Sequence, residues 1–164
     1  MKKNILTIEE SIRLSEKLRQ QGKQIVLVGG CFDILHIGHI KFLESARSLG
    51  DVLFVLLESD NNVKKLKGKN RPINPQAERA LILTALRFVD FVVLLKHMTT
   101  NNKYDKLISQ LKPAIIATTK DDPMISHKKR QVSIVGGKLK LVISRIKNKS
   151  TSRLAKIIEK EKIL

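Results

Sequence analysis

Five apolar runs of strand length alternate along this chain with segments of helical character, and that alternation narrows the fold more than any other feature. The runs are Gln24–Val28, Asp51–Leu57, Phe91–Leu95, Ala114–Thr118 and Leu139–Ile143. Each is short and nearly continuous in apolar residues, the pattern of a strand buried on both faces. Between them, helices are expected over His39–Leu49, stopped by Gly50, over Pro75–Arg87, over Tyr104–Leu111, ended by Lys112-Pro113, and over Ser126–Ile134. A first helix over Ile8–Gln21 has Thr7 as its cap, Ile8, Ile12, Leu14 and Leu18 on one face, and Gly22 to stop it. A last helix is expected over Thr151–Lys162, capped by Ser150 or Thr151. The alternation predicts an α/β fold: a Rossmann-like parallel sheet of about five strands with helices on both faces.

With 164 residues the chain has the size of one ordinary domain. Hydrophobic residues at 42% against 29% charged can build a core, which excludes wholesale disorder. No run approaches the ~18–20 apolar residues that span a bilayer, and Glu9 and Glu10 interrupt any signal-peptide core. Cys31 is the single cysteine, which excludes a disulfide scaffold and a cysteine-based zinc site. There is no repeat, low-complexity tract or linker. One cytoplasmic domain over 1–164 is expected, with an N-terminal helix in 1–22 and the catalytic core in 23–164.

The net charge of +17 is uneven: residues 1–90 hold 15 basic and 10 acidic side chains, residues 91–164 hold 17 and 5. Such a field concentrates anions of any kind. Aromatic residues are only 4%, without tryptophan, so platforms for stacking unpaired bases are few. Nucleic acid is expected to bind only non-specifically, and membrane insertion is not expected.

In parallel sheets, ligands bind beyond the carboxyl ends of the strands. The first such segment, Gly29-Gly30-Cys31-Phe32-Asp33-Ile34-Leu35-His36-Ile37-Gly38-His39, leaves a strand and starts a helix. Gly30 lets the backbone approach a ligand with no Cβ in the way. His36 and His39, three apart, fall on one side of the helix start, with Gly38 keeping that surface open. Amides and the positive dipole end face the same space, a site suited to phosphate. Two imidazoles there can stabilise a nucleotide's phosphates as charge moves onto pyrophosphate. Two histidines at this spacing are, by themselves, more often packed or solvated than catalytic; the glycines, the helix start and the position after a strand reverse that. Zinc would need more ligands than His36, His39 and Asp33, and none lies near, so no metal residue is assigned. A Walker A loop is absent, and the segment does not match G-x-G-x-x-G.

Gly30–His39 resembles the GxFDxxHxGH signature of the cytidylyltransferase-like nucleotidyltransferases. Ser59-Asp60, Lys65-Leu66-Lys67-Gly68, Arg71-Pro72-Ile73-Asn74-Pro75, Glu78-Arg79 and Val89-Asp90 extend the likeness over nearly the whole chain. In combination they are most similar to the adenylyltransferase domain of ADP-heptose synthases, with glycerol-3-phosphate cytidylyltransferases and archaeal-type FAD synthetases next. The resemblance implies the HxGH nucleotidyltransferase fold and transfer of a nucleoside monophosphate, AMP from ATP, to a phosphorylated acceptor such as a sugar 1-phosphate, releasing pyrophosphate. It implies catalytic roles for His36, His39, Lys67 and Arg145, and nucleotide binding by Gly30, Cys31, Phe32, Asp33, Gly38, Arg79, Ser150 and Thr151. Asp33 would orient the first loop or help hold Mg²⁺, which is expected with the NTP. Homodimers are common in the family.

The chain departs from the pattern in three places. Asn148 and Lys149 replace a usual Gly-Ile. Ala117-Thr118-Thr119-Lys120-Asp121-Asp122-Pro123 replaces a Gly-Gly-Asp-Tyr-like turn, and Lys96-His97-Met98-Thr99-Thr100-Asn101-Asn102 an acidic stretch. The basic run Lys128-Lys129-Arg130 has no family match and is expected to act through the general field. Alternatives are a cytidylyltransferase acting on glycerol 3-phosphate or a similar alcohol phosphate, an FMN adenylyltransferase and, in a different class, a basic nucleic-acid-binding protein. His36-Ile37-Gly38-His39 also spells the HIGH motif of class I aminoacyl-tRNA synthetases, for which 164 residues leave no room for a tRNA-reading body.

Overall fold

All five apolar runs form strands, and every pairing among them is parallel. The structure is a computed structural model that describes residues 4–143 and residue 154. Its strands are β1 (Ile5–Leu6), β2 (Ile25–Gly30), β3 (Val52–Leu57), β4 (Phe91–Leu94), β5 (Ile115–Thr119) and β6 (Lys138–Ile143). They form one sheet in the order β1-β4-β3-β2-β5-β6. The sheet therefore has one strand more than the five expected. β1 is two residues long and exists through its pairing with Val92 and Val93, a contact that local pattern cannot announce.

The helices are α1 (Ile8–Gln20), α2 (Ile37–Arg47), α3 (Asp60–Lys67), α4 (Gln76–Thr84), α5 (Asn101–Leu111) and α6 (Ile125–Val135). Thr7 caps α1 as expected, in a reciprocal box: its hydroxyl accepts the Glu10 amide at 3.1 Å, and Glu10 accepts the Thr7 amide at 2.7 Å. The basic segment around Lys64–Lys69 is mostly the helix α3. The Ser59 hydroxyl accepts the Asn62 amide at its start, and fully buried Val63 anchors it. The closing helix expected over 151–162 lies outside the described residues.

Strand side chains alternate between two apolar layers. Val26, Val28, Leu53 and Val55 pack with Phe42 and Leu43 of α2 and Leu83 of α4. Ile25, Leu27, Phe54 and Leu56 pack with Leu107 and Leu111 of α5, Val132 of α6 and Ile12 of α1. Helices thus cover both faces, as expected. Among the described residues no helix is long and apolar enough to cross a membrane.

The chain winds outward from β2 through β3 to β4, then returns to place β5 on the other side of β2. This is the topological switch point of the sheet, where parallel α/β folds bind ligands. β2 pairs with β3 up to Gly30↔Leu57, but with β5 only at Val26↔Ile115 and Leu27↔Ile116. β5 runs on to Thr119 alongside β6. β2 and β5 therefore part at their carboxyl ends, and a cleft opens between them.

Candidate active site

The chain leaves β2 into this cleft through a sharp turn. Phe32 takes the left-handed conformation (φ 44°), costly for an aromatic residue. The turn tucks its buried ring back beneath Gly30, where a Cβ would come within 2.8 Å of the ring. Glycine is thus required at position 30 by Phe32, whatever a ligand adds. The other edge of the Phe32 ring meets His39, with ring centres 5.2 Å apart at 60°.

His36 is the N-cap of α2, and its Nδ1 accepts the Gly38 amide at 3.1 Å. With Nδ1 engaged as an acceptor, the proton of the neutral ring sits on Nε2. His39, one turn on, stacks on His36 with ring centres 3.9 Å apart at 23°. Burial chiefly, and then the neighbouring His36 and Lys67, hold His39 well below the ordinary range, at about 4, against a favourable contribution from the Ile34 backbone. His39 is therefore neutral at pH 7. Lys67, the last residue of α3, lies close enough for its charge to be felt at both His39 and Cys31. Gly68 then turns the chain away at φ 107°. The Cys31 thiol is pushed upward, chiefly by burial, so it is a protonated side chain and no nucleophile.

Two expected nucleotide-binding residues lie behind this surface. Asp33 is 2% exposed. Its carboxylate is ion-paired with Arg71, whose Nε donates at 2.6 Å, and accepts the Ile73 amide at 2.8 Å and the Asn74 amide at 3.1 Å. It orients the loop, and its oxygens are taken. Arg79 is fully buried and donates to the carbonyls of Asn74 (2.9 Å), Cys31 (2.6 Å) and Glu58 (2.9 Å) and to the Asp60 carboxylate (2.6 Å). It ties the loop after β2 to the loop after β3. Arg145, Ser150 and Thr151 lie outside the described residues.

The basic run after β5 is a correction. Lys128 is not a free surface charge: it is ion-paired with Asp122 and donates to the Thr118 hydroxyl at 3.0 Å, and Thr118 also bonds Asp122. Burial alone would raise Asp122, but the bonds from Lys128 and Thr118 outweigh it and hold the carboxyl below its usual range. Arg130 pairs with Asp105 of α5 at 2.6 Å. Lys128 thus fastens the β5–α6 turn and Arg130 ties α6 to α5, an arrangement that spacing alone does not reveal.

Sequence reasoning also passed over Glu58, Asn62 and Tyr104. Tyr104 donates to Glu58 at 3.0 Å, and the Asn62 amide nitrogen donates to Glu58 at 2.7 Å and to the Tyr104 oxygen at 2.9 Å. They come from the loop after β3, from α3 and from α5, so no sequence motif links them. The signal available was Glu58 itself, an acid placed just after an apolar strand.

A doubly wound parallel sheet, split at its switch point and carrying paired histidines at the following helix start, defines an α/β protein of the HxGH class. The chain belongs to the cytidylyltransferase-like family, whose model matches residues 27–162. It is 50% identical over 113 residues to the bifunctional protein HldE of Aliarcobacter butzleri, covering 69% of this chain and 23% of that protein. To the bifunctional protein HldE of Campylobacter fetus it is 47% identical over 119 residues, covering 73% and 24%. The chain thus spans about a quarter of the length of these curated relatives. Among solved structures, a lipopolysaccharide core biosynthesis protein from Thermoplasma volcanium matches with a TM-score of 0.60 at 26% identity, covering 76% of this chain and 98% of that one. A pantoate-beta-alanine ligase from Francisella tularensis shares the fold, with a TM-score of 0.65 at 18% identity over 88% of this chain and 68% of that one.

Proposed function

We propose that this chain is a nucleotidyltransferase that moves AMP from ATP to a phosphorylated acceptor, a sugar 1-phosphate. The observation that carries the reading is the stacked His36–His39 pair at the start of α2, beside the β2/β5 cleft, in a chain of the cytidylyltransferase-like family. A phosphate oxygen of the acceptor attacks the α-phosphorus. The bond from that phosphorus to the bridging oxygen breaks, and pyrophosphate leaves. The nucleophile is already anionic near neutral pH, so catalysis is positioning and charge stabilisation.

His36 offers its Nε2 proton to the phosphates, and Lys67 supplies a mobile positive charge. His39 backs His36 through the stack. Arg145, Ser150 and Thr151 would complete an anion cradle, in keeping with the family signature. Among the described residues no group of three or more His, Cys, Asp or Glu side chains could hold a metal, and Asp33 is committed to Arg71. Mg²⁺ therefore belongs to this reading as part of the NTP substrate. The cytoplasm, which supplies ATP, is the compartment this reaction fits.

Pyrophosphate release is the test, measured for four NTPs against heptose 1-phosphate, other sugar phosphates, glycerol 3-phosphate and FMN. ATP with a sugar 1-phosphate is the expected best pair. A preference for CTP with glycerol 3-phosphate, or for FMN, transfers the assignment to those activities. Orthophosphate as the first product with pyrophosphatase absent, or salt-sensitive RNA binding without turnover, removes the nucleotidyltransferase reading altogether.

A further inference from the structure

Beside the phosphate-facing surface lies a polar cluster that the reaction above does not use. Glu58 follows β3, Asn62 lies in the first turns of α3, and Tyr104 lies in the first turn of α5. They hydrogen-bond to one another. The Tyr104 hydroxyl donates to Glu58 at 3.0 Å. The Asn62 amide spends its two N–H donors on Glu58 (2.7 Å) and on the Tyr104 oxygen (2.9 Å). What remains unused in the cluster is acceptor capacity. Asn62 is only 4% exposed, yet its Oδ1 has no hydrogen-bond partner, and Glu58 is partly exposed. A buried amide oxygen without a donor costs stability unless something supplies one. Burial first, and then the Glu58 charge, raise the Tyr104 hydroxyl, so it stays a donor to Glu58 at any physiological pH.

The cluster borders the loop that carries the histidines. Glu58 and Tyr104 each interact electrostatically with Cys31, which also feels Lys67. Its chemistry is the reverse of its surroundings: a set of acceptors, with a carboxylate at the centre, in the mouth of a cationic site. A carboxylate repels phosphate, so the cluster is no part of the triphosphate cradle. An ammonium group would have to sit beside Lys67, and no aromatic cage encloses the position. Neutral hydroxyl donors fit both constraints. We infer that Glu58, Asn62 and Tyr104 form a polyol subsite, binding the hydroxyls of the acceptor while its phosphate points toward Lys67 and the histidines. The inference rests on the nucleotidyltransferase reading for the acceptor's orientation, and it selects a polyhydroxylated phosphate monoester over a flavin or a short alcohol phosphate.

The test is calorimetric titration of heptose 1-phosphate, and separately of methyl phosphate, into the protein saturated with a non-hydrolysable ATP analogue. Glu58→Gln is expected to weaken heptose 1-phosphate at least tenfold and methyl phosphate less than twofold, with affinity for the ATP analogue unchanged within twofold. Tyr104→Phe keeps the ring and removes only the hydroxyl, so it provides the same comparison if Glu58→Gln fails to fold. Equal weakening of both phosphates, no weakening of either, or no binding of heptose 1-phosphate to the unmodified protein overturns the subsite. Glu58-dependent binding without pyrophosphate release would sustain the subsite and sink the proposed reaction instead.

Discussion

His36 and His39 stack 3.9 Å apart, and two imidazoles so close cannot both hold a proton cheaply. The structure resolves the conflict by burying His39, while the bond from the Gly38 amide fixes the orientation of the His36 ring. His36→Ala and His39→Ala are each expected to lower kcat by ~10²–10³-fold, the loss typical of one preorganised transition-state contact, with the fold retained; turnover assays beside circular dichroism decide this. His39 also leaves a mark on stability. Its ordinary value is 6.5 and its folded value about 4, so between those pH values the unfolded chain binds the extra proton. Its stabilising contribution is complete above pH 6.5 and is lost as pH falls toward 4, up to roughly 3 kcal/mol at ~1.4 kcal/mol per pKa unit. Urea unfolding of the unmodified chain at pH 7 and pH 4.5, compared with His39→Gln, should show a shallower pH slope in the variant. Parallel slopes would mean that His39 is not held neutral.

Between elements, Arg79 decides how the site is held together. One guanidinium spans three carbonyls and one carboxylate contributed by the loop after β2, the loop after β3, the segment before α4 and α3. Lysine cannot reproduce that fork. Arg79→Lys is expected to cost ~3–5 kcal/mol, the usual loss when a buried charged network is broken from one side, read as a drop in the urea midpoint. Arg87→Lys, at an exposed pair with Glu44, should change little. If the two variants unfold alike, Arg79 is not the tie. The same elements mark how far sequence reasoning reaches. Strands β2 to β6 and the His36–His39 helix start were legible because burial on both faces and the strand–glycine–helix succession are local patterns. β1, the Glu58–Asn62–Tyr104 cluster and the Lys128–Asp122–Thr118 tie were not, because each depends on the folded chain to bring its members together. Arg79 was legible as important through its family position, but its burial could not be read from an arginine in a helix. Helix α3 is missing from the expected elements because the charge of Lys64–Lys69 hid its buried anchor, Val63.

At the scale of the whole molecule, the +17 charge has to be reconciled with a site that needs only a few cations. Part of the excess is paired with carboxylates of the chain itself, as with Lys128 and Arg130. Another part lies on β6, which is a sheet edge among the described residues and carries exposed Lys138 and Lys140 beside exposed Leu141 and partly exposed Leu139 and Val142. An apolar edge strand is a template for pairing with a second chain, and lysines along it oppose that pairing by repulsion and by the cost of desolvating them. Lys138→Thr/Lys140→Thr should therefore self-associate at concentrations where the unmodified protein does not. Lys17→Thr/Lys129→Thr removes the same net charge from exposed helix positions and should stay unassociated. Sedimentation velocity at matched concentrations, at low and high salt, separates the two effects. If lowering net charge alone drove association, both variants would sediment faster, and salt would make the unmodified protein follow them. If the edge is the cause, only the β6 variant does so, and salt changes it little, because backbone pairing and apolar contact, unlike long-range repulsion, are not screened.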